Sequence, residues 1–184
     1  MTPRSMPGDR LVEELRKTLI LQDLGRHELR RFAPLCELRE YAGGERIVEQ
    51  DSMGADLLLL LEGSVDISVR GAEREEVQVS RVGKGDVLGE ASIFMDLPRT
   101  ASVTAAQACL VAAVPRDRLF AYCDANPRAG LRIFGFVIYS LLRRLGATSR
   151  DLALEREAVV TAEDIDRLRA FFPKSIEGIF EGEG

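Results

Sequence analysis

Glycines divide the middle of this 184-residue chain into short segments in which apolar and polar residues alternate. Val65, Ile67 and Val69 show the alternation most clearly, and a period of two is that of a strand with one buried face. Between Glu37 and Pro115 the glycines recur at turn-like spacing, at positions 43, 44, 54, 63, 71, 83, 85 and 89. Many short strands separated by glycine turns indicate a sandwich, barrel or roll.

One segment of this region departs from the alternation. The run from Leu57 to Leu61 consists of five consecutive leucines. A continuous apolar run of this length has no polar face to present to water. We therefore expect a strand that is buried on both faces or covered by a helix.

Helical periodicity precedes the strand-rich region. Leu11, Leu15 and Leu19 recur at every fourth position, which predicts a first helix that is capped by Asp9 and ended by Gly25. A second short helix is predicted from about His27 to Phe32, before a proline.

Helical periodicity also follows the strands, with a short helix at about 117–124 and a long one that starts just past Asn126 and Pro127. Apolar residues spaced by three and four form a seam on the long helix, at Leu131, Phe134, Ile138, Leu141 and Leu145. Ile133, Val137 and Leu142 lie off that seam. A helix with two apolar faces is typical of a homodimer or a partner helix, and a single core-facing stripe in a monomer is the alternative.

Charge divides the chain into unequal parts. The net charge is -5, yet residues 1–150 carry 21 acidic and 21 basic side chains, whereas residues 151–184 carry 9 and 4. We expect a loose leader at 1–8, one domain with the long helix at 9–150 and an acidic helical tail at 151–184. The sequence contains no basic block that could neutralise phosphates, which argues against nucleic-acid binding as its function.

Cysteine and histidine usage narrows the chemistry further. The three cysteines are isolated and the only histidine is His27, so neither a disulfide framework, a metal site nor a histidine-based catalytic dyad is expected. The longest apolar stretches fall short of the roughly 18 residues that span a bilayer. We expect a cytoplasmic protein with reduced thiols, no cofactor, no metal and no enzyme activity.

The segment from Gly85 to Val103 carries the residues that are suited to ligand chemistry. It leaves a strand at a glycine, makes about one helical turn and returns through a proline. Free N–H groups at such a turn can receive an anion, and the fork of Arg99 can pair with a phosphate. Glu90 can accept hydrogen bonds from a sugar hydroxyl. The alternative is a purely structural role, in which the segment is a tight loop closed by an ion pair between Glu90 and Arg99.

This stretch resembles the phosphate-binding cassette of the cyclic-nucleotide-binding domain family, of the type in the catabolite activator protein and in kinase A regulatory subunits. The family pattern is Gly-Glu, a short helix, and then Arg followed by a small hydroxyl or alanine residue. Gly89-Glu90 and Arg99-Thr100-Ala101 match it in type and spacing. The resemblance covers roughly residues 10–150 and implies an eight-stranded antiparallel β-roll of jelly-roll type with flanking helices, mainly β in class.

The resemblance also implies a role for each matched residue. Glu90 would bind the ribose 2'-hydroxyl and Arg99 the cyclic phosphate, with the hydroxyl of Thr100 beside phosphate or base. Backbone groups would contact the phosphate oxygens at Gly89, Ala91 and Ser92. Apolar neighbours would line the purine, at Val87, Leu88 and 57–61. The base cap on the long helix stays open between Tyr139, Arg144 and Thr148.

The expected function is a stand-alone sensor that binds cAMP, or cGMP, and signals by moving its C-terminal helices. Two alternatives stay open: a degenerate fold that serves as a protein-interaction scaffold, and a relative of DNA-binding regulators. About 24 residues follow residue 160, and they are acidic. A winged helix-turn-helix domain needs about 50 or more, so we expect no DNA binding.

Overall fold

The structure is a computed structural model that describes residues 2–71, 75–94 and 98–153, without the side chains of residues 94 and 143–153. Its strands form two antiparallel sheets. The five-stranded sheet has the order β1-β2-β9-β4-β7, with β1 at Thr2–Pro3, β2 at Glu37–Tyr41, β4 at Asp56–Glu62, β7 at Val87–Leu88 and β9 at Cys109–Pro115. The four-stranded sheet has the order β3-β8-β5-β6, with β3 at Arg46–Val48, β5 at Ser64–Arg70, β6 at Glu76–Gly83 and β8 at Ser102–Ala105.

Helices flank the two sheets along the chain. They are α1 at Gly8–Arg16, α2 at Arg26–Phe32 with a 3-10 turn at Ala33–Leu35, α3 at Ala91–Phe94, α4 at Arg116–Ala125 and α5 at Pro127–Ala153. The expectation of a mainly β roll with flanking helices is confirmed. No helix within the described ranges is long and apolar enough to cross a bilayer.

Two details at the N-terminus differ from the sequence prediction. Thr2 and Pro3 pair with Glu40 and Arg39, so the described part of the expected loose leader adds a ninth strand to the eight predicted. The first helix runs from Gly8 to Arg16, so Asp9 lies in its first turn rather than at its N-cap, and Gly25 instead precedes α2 as the N-cap of that helix. The helix ends early because its last turn tightens and the next backbone N–H groups bond elsewhere, with Leu19 N donating to the carbonyl of Gly85 at 3.0 Å.

The leucine-rich strand β4 is buried on both faces, as predicted. Leu57, Leu59 and Leu61 pack with the helices in one core cluster, whereas Leu58 and Leu60 belong to a second cluster between the two sheets. Five successive leucines are therefore buried because β4 lies at the boundary between two cores. β4 is closely packed on both faces and separates the helices from the space between the sheets.

Helix α5 presents two apolar faces. Ala129, Ile133 and Val137 are buried in the helical core cluster, which fixes the first half of α5 to the body. On the predicted seam, Leu131 is 52% exposed and Ile138 is 44% exposed. Two further seam residues, Phe134 and Leu141, are partly buried against the helical cluster, and the side chain of Leu145 lies outside the described residues.

Candidate functional site

The predicted cassette bridges the two sheets. Strand β7, at the edge of the five-stranded sheet, ends at Leu88, and the chain then turns through Gly89 at φ +76°. Helix α3 follows, and the chain re-enters at Arg99, three residues before β8 of the other sheet. The cassette therefore connects the edge of the five-stranded sheet to the four-stranded sheet.

Arg99 is the central side chain of this site and is only 8% exposed. Its backbone is fixed to the loop before β4, since Asp51 N donates to the carbonyl of Arg99 at 2.8 Å and Arg99 N donates to the carbonyl of Ser52 at 2.9 Å. Its Nη1 donates to the hydroxyl of Ser92 and its Nη2 to the carbonyl of Asp56, both at 3.1 Å. Two of the five guanidinium N–H groups thus bond to uncharged acceptors.

Two glycines make room for the guanidinium group. A Cβ atom at Gly89 would lie 2.3 Å from Nη1 of Arg99 and 2.8 Å from the carbonyl oxygen of Asp56. A Cβ atom at Gly54 would lie 3.2 Å from both Nε and Nη2 of the same side chain. We call the space between these residues the glycine slot. Any larger residue at position 89 would displace the arginine, so this glycine is required by close approach as well as by its positive φ.

One buried positive charge with two negative charges nearby sets the electrostatics of the slot. Burial lowers the pKa of Arg99 from its ordinary value, while the charges of Asp56 and Glu90 raise it. Glu90 is only 3% exposed, so a second charged side chain is buried beside the arginine. Buried charges are costly unless a partner compensates them. A ligand that offers an anionic group would compensate the buried charge of Arg99, whose hydrogen bonds in the slot go to uncharged acceptors.

The structure brings together most of the residues that the sequence analysis singled out. Glu90, Ser92 and Arg99 are buried side by side in the cassette, whereas Ala91 and Thr100 are exposed at its surface. Of the candidate capping residues, Tyr139 is partly buried against the helical core cluster. The side chains of the other two, Arg144 and Thr148, lie outside the described residues.

The expected purine lining is wrong in part. Val87 and the odd-numbered leucines of β4 pack under the helices, on the other side of the five-stranded sheet from the roll interior. Leu88 faces the space between the sheets but is buried there by core residues. The alternation of side chains along β4 and β7 puts half of these residues on the wrong face for a ligand.

The exposed apolar residue Val77 was missed, and we call the end of β5 and β6 where it pairs with Val69 the roll mouth. Val65 is buried in the core cluster between the sheets and Ile67 packs against it, and Val69 follows them at the same period of two. Val77 of β6 is paired with Val69 and is 58% exposed. The mouth lies near Arg99, because β5 pairs Ser68 with Ser102 at the same end of the sheet. The signal was present in the alternation, but only the strand register shows which end of β5 lies near Arg99.

Arg116 is a second residue that sequence reasoning missed. It begins α4, and its Nη2 donates to the backbone carbonyl of Ser92 in α3. Ser92 therefore accepts hydrogen bonds from two arginines, through its hydroxyl from Arg99 and through its carbonyl from Arg116. This contact connects the cassette to α4, which packs against α5 at Gly130 and Cys123. No local motif marks Arg116, because its partner is 24 residues away in the chain.

Part of the chain is similar in sequence to known proteins. Residues 38–126 match the family model described as cyclic nucleotide-binding domain. Among curated proteins, a cAMP-dependent protein kinase regulatory subunit from Mycosarcoma maydis is 32% identical over 89 residues, which are 48% of this chain and 17% of that subunit. The chain therefore matches less than a fifth of the length of this relative.

Solved structures share the fold at lower sequence identity. A cyclic nucleotide-binding domain from Methylobacillus flagellatus superposes with a TM-score of 0.67 and 22% identity, covering 82% of this chain and 84% of that chain. The regulatory domain of Toxoplasma gondii PKA, crystallised with cAMP, superposes with a TM-score of 0.61 and 23% identity, covering 75% and 49%. These likenesses establish the fold of the chain.

Proposed function

Since residues 38–126 belong to the cyclic nucleotide-binding domain family, we propose that this chain is a non-catalytic cytoplasmic sensor of cAMP. The observation that carries the proposal is the buried guanidinium of Arg99, which is held in the glycine slot by two uncharged acceptors, beside the buried carboxylate of Glu90. A cyclic nucleotide offers both an anionic phosphate and a ribose hydroxyl. The phosphate can pair with Arg99, and the hydroxyl can donate a hydrogen bond to Glu90.

Each cassette residue has a separate role in the proposed complex. Arg99 pairs with the cyclic phosphate, and Glu90 accepts a hydrogen bond from the ribose 2'-hydroxyl. The exposed hydroxyl of Thr100 lies beside phosphate or base. Backbone groups contact the phosphate oxygens, from Gly89, Ala91 and Ser92. Because Arg99 already bonds to Ser92 and Asp56, its orientation is fixed before the ligand arrives, which lowers the entropic cost of binding.

The base lies on the exposed Val77 and its partly buried partner Val69 at the roll mouth. Val77 is 58% exposed although it shares a face with the inter-sheet core, and an exposed apolar surface next to a buried charge is typical of a ligand site. A purine that covers it would remove apolar area from water. We propose that α5 closes over the base from the other side, through Tyr139, Arg144 or Thr148.

The output of the sensor is a movement of α4 and α5. Arg116 connects the cassette to α4, and the close contact of Gly130 with Cys123 connects α4 to α5. The exposed seam residues Leu131 and Ile138 then provide the surface of a homodimer or of a partner helix. Ligand binding shifts the helices only as far as the ligand prefers one arrangement to the other.

Isothermal titration calorimetry with cAMP and cGMP tests the proposal. We expect wild-type protein to bind cAMP, and Arg99→Ala to bind it at least tenfold more weakly, since a charge-assisted hydrogen bond contributes about 1.5–3 kcal/mol. Arg30→Ala, which removes an exposed arginine on α2, is the control and should bind like wild type. Absence of binding heat with wild type would refute the proposed ligand. Equal affinity of Arg99→Ala would refute the assigned site, and preference for cGMP would reassign the base.

A further inference from the structure

The carboxylate of Asp56 lies on the residue that also holds Arg99, yet it bonds in another direction. The backbone carbonyl of Asp56 accepts from Nη2 of Arg99 at 3.1 Å, while its Oδ2 lies 3.1 Å from Nη1 of Arg39. Asp56 also raises the pKa of Arg99 through its charge. The Asp56 carboxylate thus lies close enough to Arg99 to act on its charge, but it forms its ion pair with Arg39.

Arg39 is well placed to keep that carboxylate engaged. It lies on β2, its side chain is 24% exposed, and its Nη2 donates to Oε2 of Glu37 at 3.0 Å. Glu37 in turn lies 3.3 Å from Nη1 of Arg118 on α4. Charges of alternating sign therefore run from α4 across β2 to the start of β4. The arginine in the middle is fixed from both sides, which lowers the entropic cost of holding Asp56.

We propose that Arg39 is a positioning residue of the anion site, which holds the Asp56 carboxylate away from Arg99 and so leaves the guanidinium available to an anionic ligand. The proposal rests on the proposed function, because it assigns Arg39 a role in the affinity of that same site. Without Arg39, the freed carboxylate would turn to the nearest cation. It would then compete with the phosphate for Arg99, and the ligand would have to displace it.

The size of the expected effect follows from Coulomb's law. Two unit charges a few ångströms apart near a protein surface interact strongly enough to change a binding constant by about tenfold or more. Side-chain entropy and salt screening reduce this for a carboxylate that is 30% exposed. We therefore expect removal of Arg39 to weaken ligand binding by about three- to tenfold.

A double-mutant cycle tests the proposal, with cAMP affinity measured by isothermal titration calorimetry on the full chain. Arg39→Met should bind about three- to tenfold more weakly than wild type. Asp56→Asn should bind as tightly as wild type or more tightly, and the double variant should regain affinity within about twofold of wild type. Arg39→Lys, which keeps the charge, should also stay within about twofold. If thermal unfolding shows that Arg39→Met is not folded, Arg39→Gln takes its place in the cycle.

The outcomes separate this inference from the proposed function. If wild type does not bind cAMP, the proposed function fails first. If wild type binds and Arg39→Met binds equally well, only the role of Arg39 is refuted. A double variant that stays as weak as Arg39→Met would show that Arg39 supports the structure and does not act through Asp56. Arg30→Met, which removes an exposed ion pair between α1 and α2, is the control and should leave affinity unchanged.

Discussion

Replacement of Gly89 by alanine is the sharpest test of the glycine slot. The added Cβ would lie 2.3 Å from Nη1 of Arg99, and ordinary van der Waals contact begins near 3.4 Å. The guanidinium must therefore move by about 1 Å, the difference between these two distances. Its hydrogen bonds to Ser92 and Asp56 are 3.1 Å long, and a shift of this size takes them out of bonding range.

The free-energy cost of Gly89→Ala has two parts, one in folding stability and one in ligand affinity. Alanine in the left-handed region costs about 1–2 kcal/mol of folding free energy, whether or not a ligand is present. Displacement of Arg99 removes a charge-assisted contact with the ligand, which contributes about 1.5–3 kcal/mol. We therefore expect cAMP affinity to fall by about tenfold to a hundredfold, together with a lower melting temperature of the free protein.

Gly44 offers a matched control for the backbone strain. Its φ is +84°, close to that of Gly89, but a Cβ there would meet nothing within 4 Å. Gly44→Ala should lower the melting temperature by a similar amount and leave the binding isotherm unchanged. If Gly89→Ala and Gly44→Ala bind cAMP equally well, the slot does not position Arg99 and the reasoning above is refuted.

Three further outcomes follow from contacts elsewhere. Gly130→Ala should lower stability by about 1–3 kcal/mol in urea unfolding, because its Cβ would lie 2.8 Å from that of Cys123; an unchanged midpoint would contradict the close helix packing. Cys36 is only partly buried, but desolvation of its thiol raises its pKa to about 12, so we expect slow reaction with iodoacetamide at pH 8 until the protein is unfolded. Rapid labelling of the native protein would contradict this. Hydrogen bonds from Arg46 and a serine lower the pKa of Glu76 from 4.5 to about 2. Its stabilising effect is therefore present above pH 4.5 and lost as the pH falls towards 2, so melting temperatures of wild type and Glu76→Gln should converge over that range.

Much of the fold could be read from the sequence because its signals are local. The alternation in β5 and the leucine run of β4 indicated the correct strand types, and the helices after Pro115 lie within a few residues of their predicted bounds. Errors arose where a distant partner decides the outcome. The first helix ends early because Leu19 bonds to Gly85, and β1 forms because β2 offers it an edge.

The residues of the candidate site also differ in whether local sequence signals could identify them. Glu90 and Arg99 could be identified because they belong to one contiguous segment, and the structure buries both. Gly54 and Arg39 could not be identified, since Gly54 meets Arg99, and Arg39 meets Asp56, only through contacts between segments that are far apart in the chain. Their sequence neighbourhoods carry no motif. Recognition of the cassette therefore located the cation, but it did not reveal the residues that hold it in position.

The glycine slot has a consequence for how related sequences are read. A glycine codon becomes an alanine codon by one nucleotide change, and at position 89 that change would place a methyl group 2.3 Å from Nη1 of Arg99. A homologue could thus keep both charged residues of the cassette and still lose its ligand by gaining a single carbon atom. Retention of binding in such a chain is better judged by whether glycine persists at the equivalent of position 89 than by the glutamate and arginine alone.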